Sequence, residues 1–132
     1  MDARLTSLCK EIVKMTSDQA AAWIMSEYPI NSEHWSEALV LIPHRSWKKS
    51  EQRLLAEYYF KNVPFSSGRG YEAFASIMST KLMIACLKDA VPKDPARCDL
   101  MQYYLIPVLE RFAKNDTDRM AINDFFCAVS AK

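Results

Sequence analysis

Glycine is scarce in this chain, and this scarcity restricts the fold more than any other feature of the sequence. Only Gly68 and Gly70 occur among 132 residues, and no Asn-Gly or Asp-Gly pair is present. Tight hairpins between strands depend on such pairs because their central residues adopt a positive φ. A fold rich in antiparallel strands is therefore disfavoured, and the sequence favours helices.

Apolar residues recur every three or four positions in seven successive segments. This spacing places them on one face of an α-helix. The first segment covers about residues 3 to 15, and its apolar residues are expected to face the core: Leu5, Leu8, Cys9, Ile12 and Val13. The second begins at Thr16, where Gln19 completes the spacing of a capping box, and ends at Pro29.

The remaining segments are delimited by caps and prolines. Asn31 or Ser32 is expected to cap the third helix, and the fourth should run from Ser46 to about Asn62, with Leu54 facing the core. The spacing predicts one long fifth helix of about four turns, carrying an apolar stripe of Tyr71, Phe74, Ala75, Met78, Leu82, Ala85 and Cys86.

A sixth helix should start at Asp94-Pro95 and direct Leu100, among others, toward the core. Pro107 lies inside it and predicts a kink or a break. The last helix should begin at Asp116 or Thr117. Together the segments predict one all-α domain over residues 1–132, a compact bundle of about seven helices arranged as antiparallel helical hairpins. No repeat of 30 to 50 residues is found.

The charge balance is nearly even, which excludes the strong positive field of a general nucleic-acid binder. The formal net charge is +1, with seven basic and eight acidic residues up to Phe60 and ten and eight after it. The first residues run into an amphipathic segment and not into an apolar one, so we expect no signal peptide, and no apolar run approaches the roughly 18 residues of a membrane span. We therefore expect a cytoplasmic protein that does not contact membranes. The four cysteines are expected to be reduced, buried thiols: Cys9, Cys86, Cys98 and Cys127.

No pattern of catalytic or metal-ligating residues stands out. Glu33, His34 and Glu37 cluster, and His34 with Glu37 could share a metal ion, but such a site needs at least a third ligand and no motif like HExxH is present. The acids are better explained by the dipole of the helix, which favours negative charge at its start. His44 is the only other histidine and lies in no recognisable motif. We expect no enzyme activity, no metal and no cofactor.

Two segments are candidates for binding a partner. The loop Phe65–Gly70 contains both glycines and precedes a helix, so Ser67 and Arg69 either belong to an ordinary turn or bind an anionic group. The densest basic segment consists of His44, Arg45, Lys48, Lys49 and Arg53. Helical spacing would place Arg45, Lys49 and Arg53 on one face, which is either a solvated surface or a site for an acidic protein or for RNA phosphates.

The overall character of the chain, which is small, all-helical, single-domain and free of motifs, resembles that of bacterial immunity proteins of contact-dependent growth inhibition. The resemblance implies a protein that neutralises a toxin by covering its active site. Because this chain is not acidic, the toxin surface should be acidic or mixed, and the residues to test are Arg45, Lys49, Arg53 and Arg69. The alternative is a small RNA- or DNA-binding module that uses residues 44–53, with Trp47, and the loop.

Overall fold

The computed structural model describes residues 2–130, and eight α-helices with no strand make up its regular structure within that range. The all-α prediction is confirmed. The predicted domain also includes Met1, Ala131 and Lys132, which lie outside the described residues. The helices are α1 (Ala3–Lys14), α2 (Ser17–Glu27), α3 (Glu37–Leu41), α4 (Lys49–Tyr59), α5 (Arg69–Ala75), α6 (Thr80–Lys88), α7 (Pro95–Phe112) and α8 (Asp116–Ser130). Two 3₁₀ turns, Ile42–His44 and Phe60–Asn62, extend α3 and α4.

Consecutive helices alternate between two rows, and within each row the helices stack in order. The odd-numbered helices contact one another in the series α1, α3, α5 and α7, and the even-numbered helices do the same from α2 to α8. We call these two rows the odd-helix layer and the even-helix layer. The predicted arrangement of helical hairpins is therefore confirmed, although the sequence shows no repeat.

Local capping explains where several helices begin. Thr16 and Gln19 form the predicted capping box of α2, and Asp94 accepts a hydrogen bond from the Arg97 backbone before Pro95 at the first position of α7. In both cases a side chain satisfies backbone N–H groups that have no partner inside the helix. The predicted starts of α2 and α7 are thus confirmed.

Three helix predictions differ from the structure. The single fifth helix is wrong: the chain forms α5 and then α6, and Ser79 caps α6 by accepting a hydrogen bond from Leu82 N at 3.1 Å. The third helix is shorter than predicted, because residues 29–36 form successive turns. The break that Pro107 could impose does not occur, because α7 continues to Phe112, and a kink there stays a prediction.

A cluster of aromatic rings lies at the centre of the core. Tyr59, Phe60, Tyr71 and Phe74 are almost completely buried, and Phe60 and Phe74 make an edge-to-face contact with ring centroids 4.9 Å apart. The Tyr59 hydroxyl donates to the Tyr28 carbonyl at 2.8 Å and so satisfies a carbonyl at the end of α2. Buried aromatic side chains therefore fill the centre of the stack, and the outer faces of the two layers remain for binding.

Candidate partner-binding surfaces

Arg45, the centre of the predicted basic patch, is part of the fold. Its Nη1 donates to the carbonyls of Ile12 at 2.8 Å and Met15 at 2.9 Å, which lie at the end of α1. Its guanidinium stacks over the Trp47 ring, 4.6 Å from the centroid. The prediction that it shares a helix face with Lys49 and Arg53 is wrong, because Arg45 is extended and α4 begins only at Lys49.

The other predicted basic residues of this segment are exposed. Lys48, Lys49 and Arg53 lie at the start of α4 and within it, and Arg53 pairs with Glu57 at 3.3 Å. Trp47 is buried, and its Nε1 donates to the Ile42 carbonyl at 2.9 Å. The lysines of α4 therefore have no exposed tryptophan beside them on which a nucleic-acid base could stack.

The loop Phe65–Gly70 is shaped by packing. Phe65 is buried, and its N–H donates to the hydroxyl of Tyr71 at 3.1 Å. A Cβ atom on Gly70 would lie 2.6 Å from the Phe65 ring, so this position requires glycine. Ser67 accepts the Arg69 N–H at 3.3 Å, and both side chains are exposed. The binding of an anionic group by Ser67 and Arg69 stays a prediction.

This loop lies beside the middle of α7. A Cβ atom on Gly68 would be 3.8 Å from the Tyr104 carbonyl oxygen, and Arg111 of α7 pairs with Glu72 of α5 at 2.7 Å. The Tyr104 ring makes an edge contact with Tyr103, with centroids 4.9 Å apart. The structure therefore brings the predicted loop against α7 at Tyr104 and Val108.

Several large apolar side chains are exposed, and most lie on the odd-helix layer. Over residues 2–130 there are six of them, and four belong to α1, α3 and α7: Val13, Val40, Leu100 and Tyr103. Tyr103 is 72% exposed and Val13 57%. The predictions that Val13, Leu54 and Leu100 face the core are wrong. Each lies at the edge of its apolar stripe, where spacing alone does not separate core from surface.

A shallow groove of about 470 Å³ separates α1 from the 3₁₀ turn that follows α3. We call it the α1 groove, and its lining consists of Cys9, Lys10, Val13, Lys14 and His44. Of the predicted site residues, His44 is thus joined to two lysines of α1 that sequence reasoning did not select. Lys10 and Lys14 are one turn apart on a helix, a signal that points to a shared face but not to His44.

Two larger grooves lie among α6, α7 and α8 and carry mixed charge. One of about 510 Å³ runs between α6 and α8, where Lys81 and Lys88 face Asp124. The other, of about 730 Å³, adjoins it and contains Lys88 and Lys93 together with Asp89 and Asp99. Because both signs of charge line these grooves, neither favours an acidic or a basic ligand.

The polar cluster near the third helix is engaged in the fold. Glu37 pairs with Arg4 at 2.6 Å and so links α3 to α1. His34 and His44 are both exposed. In the part of the chain that the structure describes, no three His, Cys, Asp or Glu side chains are arranged to hold a metal ion. The cysteines there are all free: Cys9 and Cys86 are buried as predicted, whereas Cys98 is half-buried and Cys127 is exposed.

None of the helices within residues 2–130 combines the length and the apolar character needed to cross a membrane. Comparison of the chain with protein-family models, with curated proteins and with solved structures finds no match.

Proposed function

We propose that this chain is a protein-binding module that acts as an immunity or inhibitor protein and neutralises a toxin by forming a complex with it. One observation carries the proposal, the exposure of Val13, Val40, Leu100 and Tyr103 on the odd-helix layer. Exposed tyrosines of this kind often supply much of the binding energy at protein interfaces. The α7 helix alone, at 18 residues, is roughly 27 Å long and offers a large part of a standard interface.

The charges of this layer support an acidic or mixed partner surface. Arg4 and Arg111 are already paired with acids of the same layer. Within residues 2–130, Lys10, His44 and Arg69 form no ion pair. The charges of Lys10 and Arg69 would speed association with an acidic protein and select against basic ones. Lys48, Lys49 and Arg53 lie at the start of α4 and within it, in the even-helix layer, so their role in partner binding stays a prediction.

Nucleic acid is the second candidate ligand of the predicted site, but its chemical basis is reduced. The Arg45 guanidinium already donates to backbone carbonyls at the end of α1, and the Trp47 ring is buried and so cannot stack on a base. The absence of enzyme activity stays a prediction, as does a cytoplasmic location in which the cysteines remain reduced.

The proposal is tested by co-expression with a toxin whose gene neighbours the gene of this chain. We expect the chain to restore growth and to copurify with the toxin as a stable complex. The Tyr103→Lys variant should bind at least about tenfold more weakly, because an interface tyrosine is replaced by a flexible charge.

Met120→Lys is the matched control, because Met120 is 66% exposed and lies on the even-helix layer. It should leave protection unchanged. Absence of protection and of any complex would contradict the proposal, and so would a complex that Met120→Lys disrupts while Tyr103→Lys does not. Steep loss of binding to labelled RNA or DNA with added salt would instead establish the nucleic-acid alternative.

A further inference from the structure

The α1 groove has an uneven distribution of charge. Three of its five lining side chains carry basic nitrogens, Lys10, Lys14 and His44, and no carboxylate lines it. The nearest acid along α1 is Glu11, which is exposed and lies 3.6 Å from Lys14. An exposed pair at this distance is weak, so Lys14 can exchange Glu11 for another carboxylate at little cost.

The floor of the groove is apolar and uncharged. Val13 is 57% exposed, although it lies on a helix whose neighbouring residues Cys9 and Ile12 are buried. Burial raises the pKa of the Cys9 thiol, so this side chain adds no negative charge. A ligand that only neutralised the lysines would leave Val13 in water.

The spacing of the basic side chains determines which ligand the groove can bind. Lys10 and Lys14 are separated by one helical turn, about 6 Å along α1, and His44 faces them across the groove. A volume of about 470 Å³ holds a few residues and not a whole helix. The complementary ligand is therefore a short segment with two or more carboxylates around an aliphatic side chain.

We propose that the α1 groove binds an acidic segment of the partner protein, with an aliphatic side chain of that segment against Val13 and its carboxylates on Lys10, Lys14 and His44. This inference rests on the proposed function and specifies which chemistry of the partner the odd-helix layer recognises. It also assigns a role to Lys10 and Lys14, which lie outside the basic segment 44–53.

The inference is tested by titrating the full ¹⁵N-labelled chain with the acetylated, amidated peptide Glu-Glu-Leu-Glu-Glu and following backbone amide shifts by NMR. We expect shifts confined to the residues around the groove, with a dissociation constant of roughly 1 mM, as befits so short a ligand. The peptide Lys-Lys-Leu-Lys-Lys should cause no such shifts, and Glu-Glu-Ser-Glu-Glu should bind several-fold more weakly because it lacks the aliphatic contact.

Charge reversal supplies the matched controls. Lys10→Glu should abolish the shifts, whereas Lys114→Glu, which reverses an exposed lysine between α7 and α8 outside the groove, should leave them unchanged. Equal binding of the serine and leucine peptides would overturn the role of Val13. Absence of shifts, equal loss with both variants, or tighter binding of an oligothymidylate at the same residues would overturn the inference as a whole.

The two proposals fail separately. If the acidic peptide does not bind but Tyr103→Lys still weakens a toxin complex, the inference about the groove is wrong and the proposed function stands. If the peptide binds the groove but the chain protects against no neighbouring toxin, the groove is an acidic-peptide site and the immunity function is wrong.

Discussion

Arg45 shows at the scale of a single residue why a basic sequence is not a basic surface. Its acceptors, the carbonyls of Ile12 and Met15, lie 33 and 30 positions away along the chain. No local spacing reveals such partners, so sequence reasoning assigned this arginine to binding. His44 lines the α1 groove, whereas Lys48 and Lys49 are exposed at the start of α4. The sequence predicts that these residues are basic, but not which surface each of them belongs to.

Replacing Arg45 should therefore reduce stability. We expect Arg45→Ala to lower the free energy of unfolding by about 1 to 3 kcal/mol, because two carbonyls of α1 lose a charged donor and Trp47 loses its stacked cation. Arg53→Ala, which removes only an exposed pair, should cost less than about 0.5 kcal/mol. Urea unfolding measures both, and equal effects would show that Arg45 is not structural.

The buried tyrosines make a second residue-scale prediction. Burial raises the pKa of Tyr71 from 10.0 to about 12, although its bond from the Phe65 amide opposes this. Burial likewise raises the pKa of Tyr59. The unfolded chain loses these protons from about pH 10, while the folded chain keeps them. The stabilisation is complete below pH 10 and is lost as the pH rises toward about 12.

The free energy of unfolding should thus fall over this interval by up to about 1.4 kcal/mol per pH unit for each tyrosine. Tyr71→Phe should be less stable at neutral pH, because the Phe65 N–H loses its acceptor, but it should lose less stability on going from pH 10 to about 12. Denaturant unfolding at several pH values gives both quantities. An identical pH dependence in the variant and the parent protein would contradict the assignment.

At the scale of elements, periodicity predicted the helices and capping predicted several of their starts, but not the break between α5 and α6. Met78 and Leu82 keep helical spacing across it, and neither glycine nor proline marks it. The serine cap at Ser79 competes with continuation of the helix, and tertiary packing decides between them. Pro107 shows the opposite error, since α7 tolerates an exposed proline that local rules treat as a breaker.

The cap at Ser79 is open to direct measurement. Ser79→Ala should lower the free energy of unfolding by about 1 kcal/mol, because the Leu82 N–H loses the side-chain oxygen that accepts its hydrogen bond. Ser7→Ala, in the exposed interior of α1, is the control and should be neutral or slightly stabilising. If the two variants unfold at the same denaturant concentration, Ser79 does not delimit α6.

At the scale of the whole molecule, the buried residues and the exposed residues of the helical stack have different roles. Its core is closed by the aromatic cluster, while the odd-helix layer leaves Val13, Leu100 and Tyr103 in water. The first two were assigned to the core by spacing, so the candidate surface lies where the periodic pattern fails. These side chains offer a partner apolar and aromatic contact area, which is the physical reason to assign binding to this layer.

The central claim is that a protein partner contacts the odd-helix layer. Site-specific photocrosslinking in cells tests it most directly, with benzoyl-phenylalanine placed singly at Val13, Val40 and Tyr103, and at Leu54 and Met120 on the even-helix layer as controls. We expect crosslinks to one and the same protein from the first three positions and none from the controls. Crosslinks only from positions 54 and 120 would contradict it.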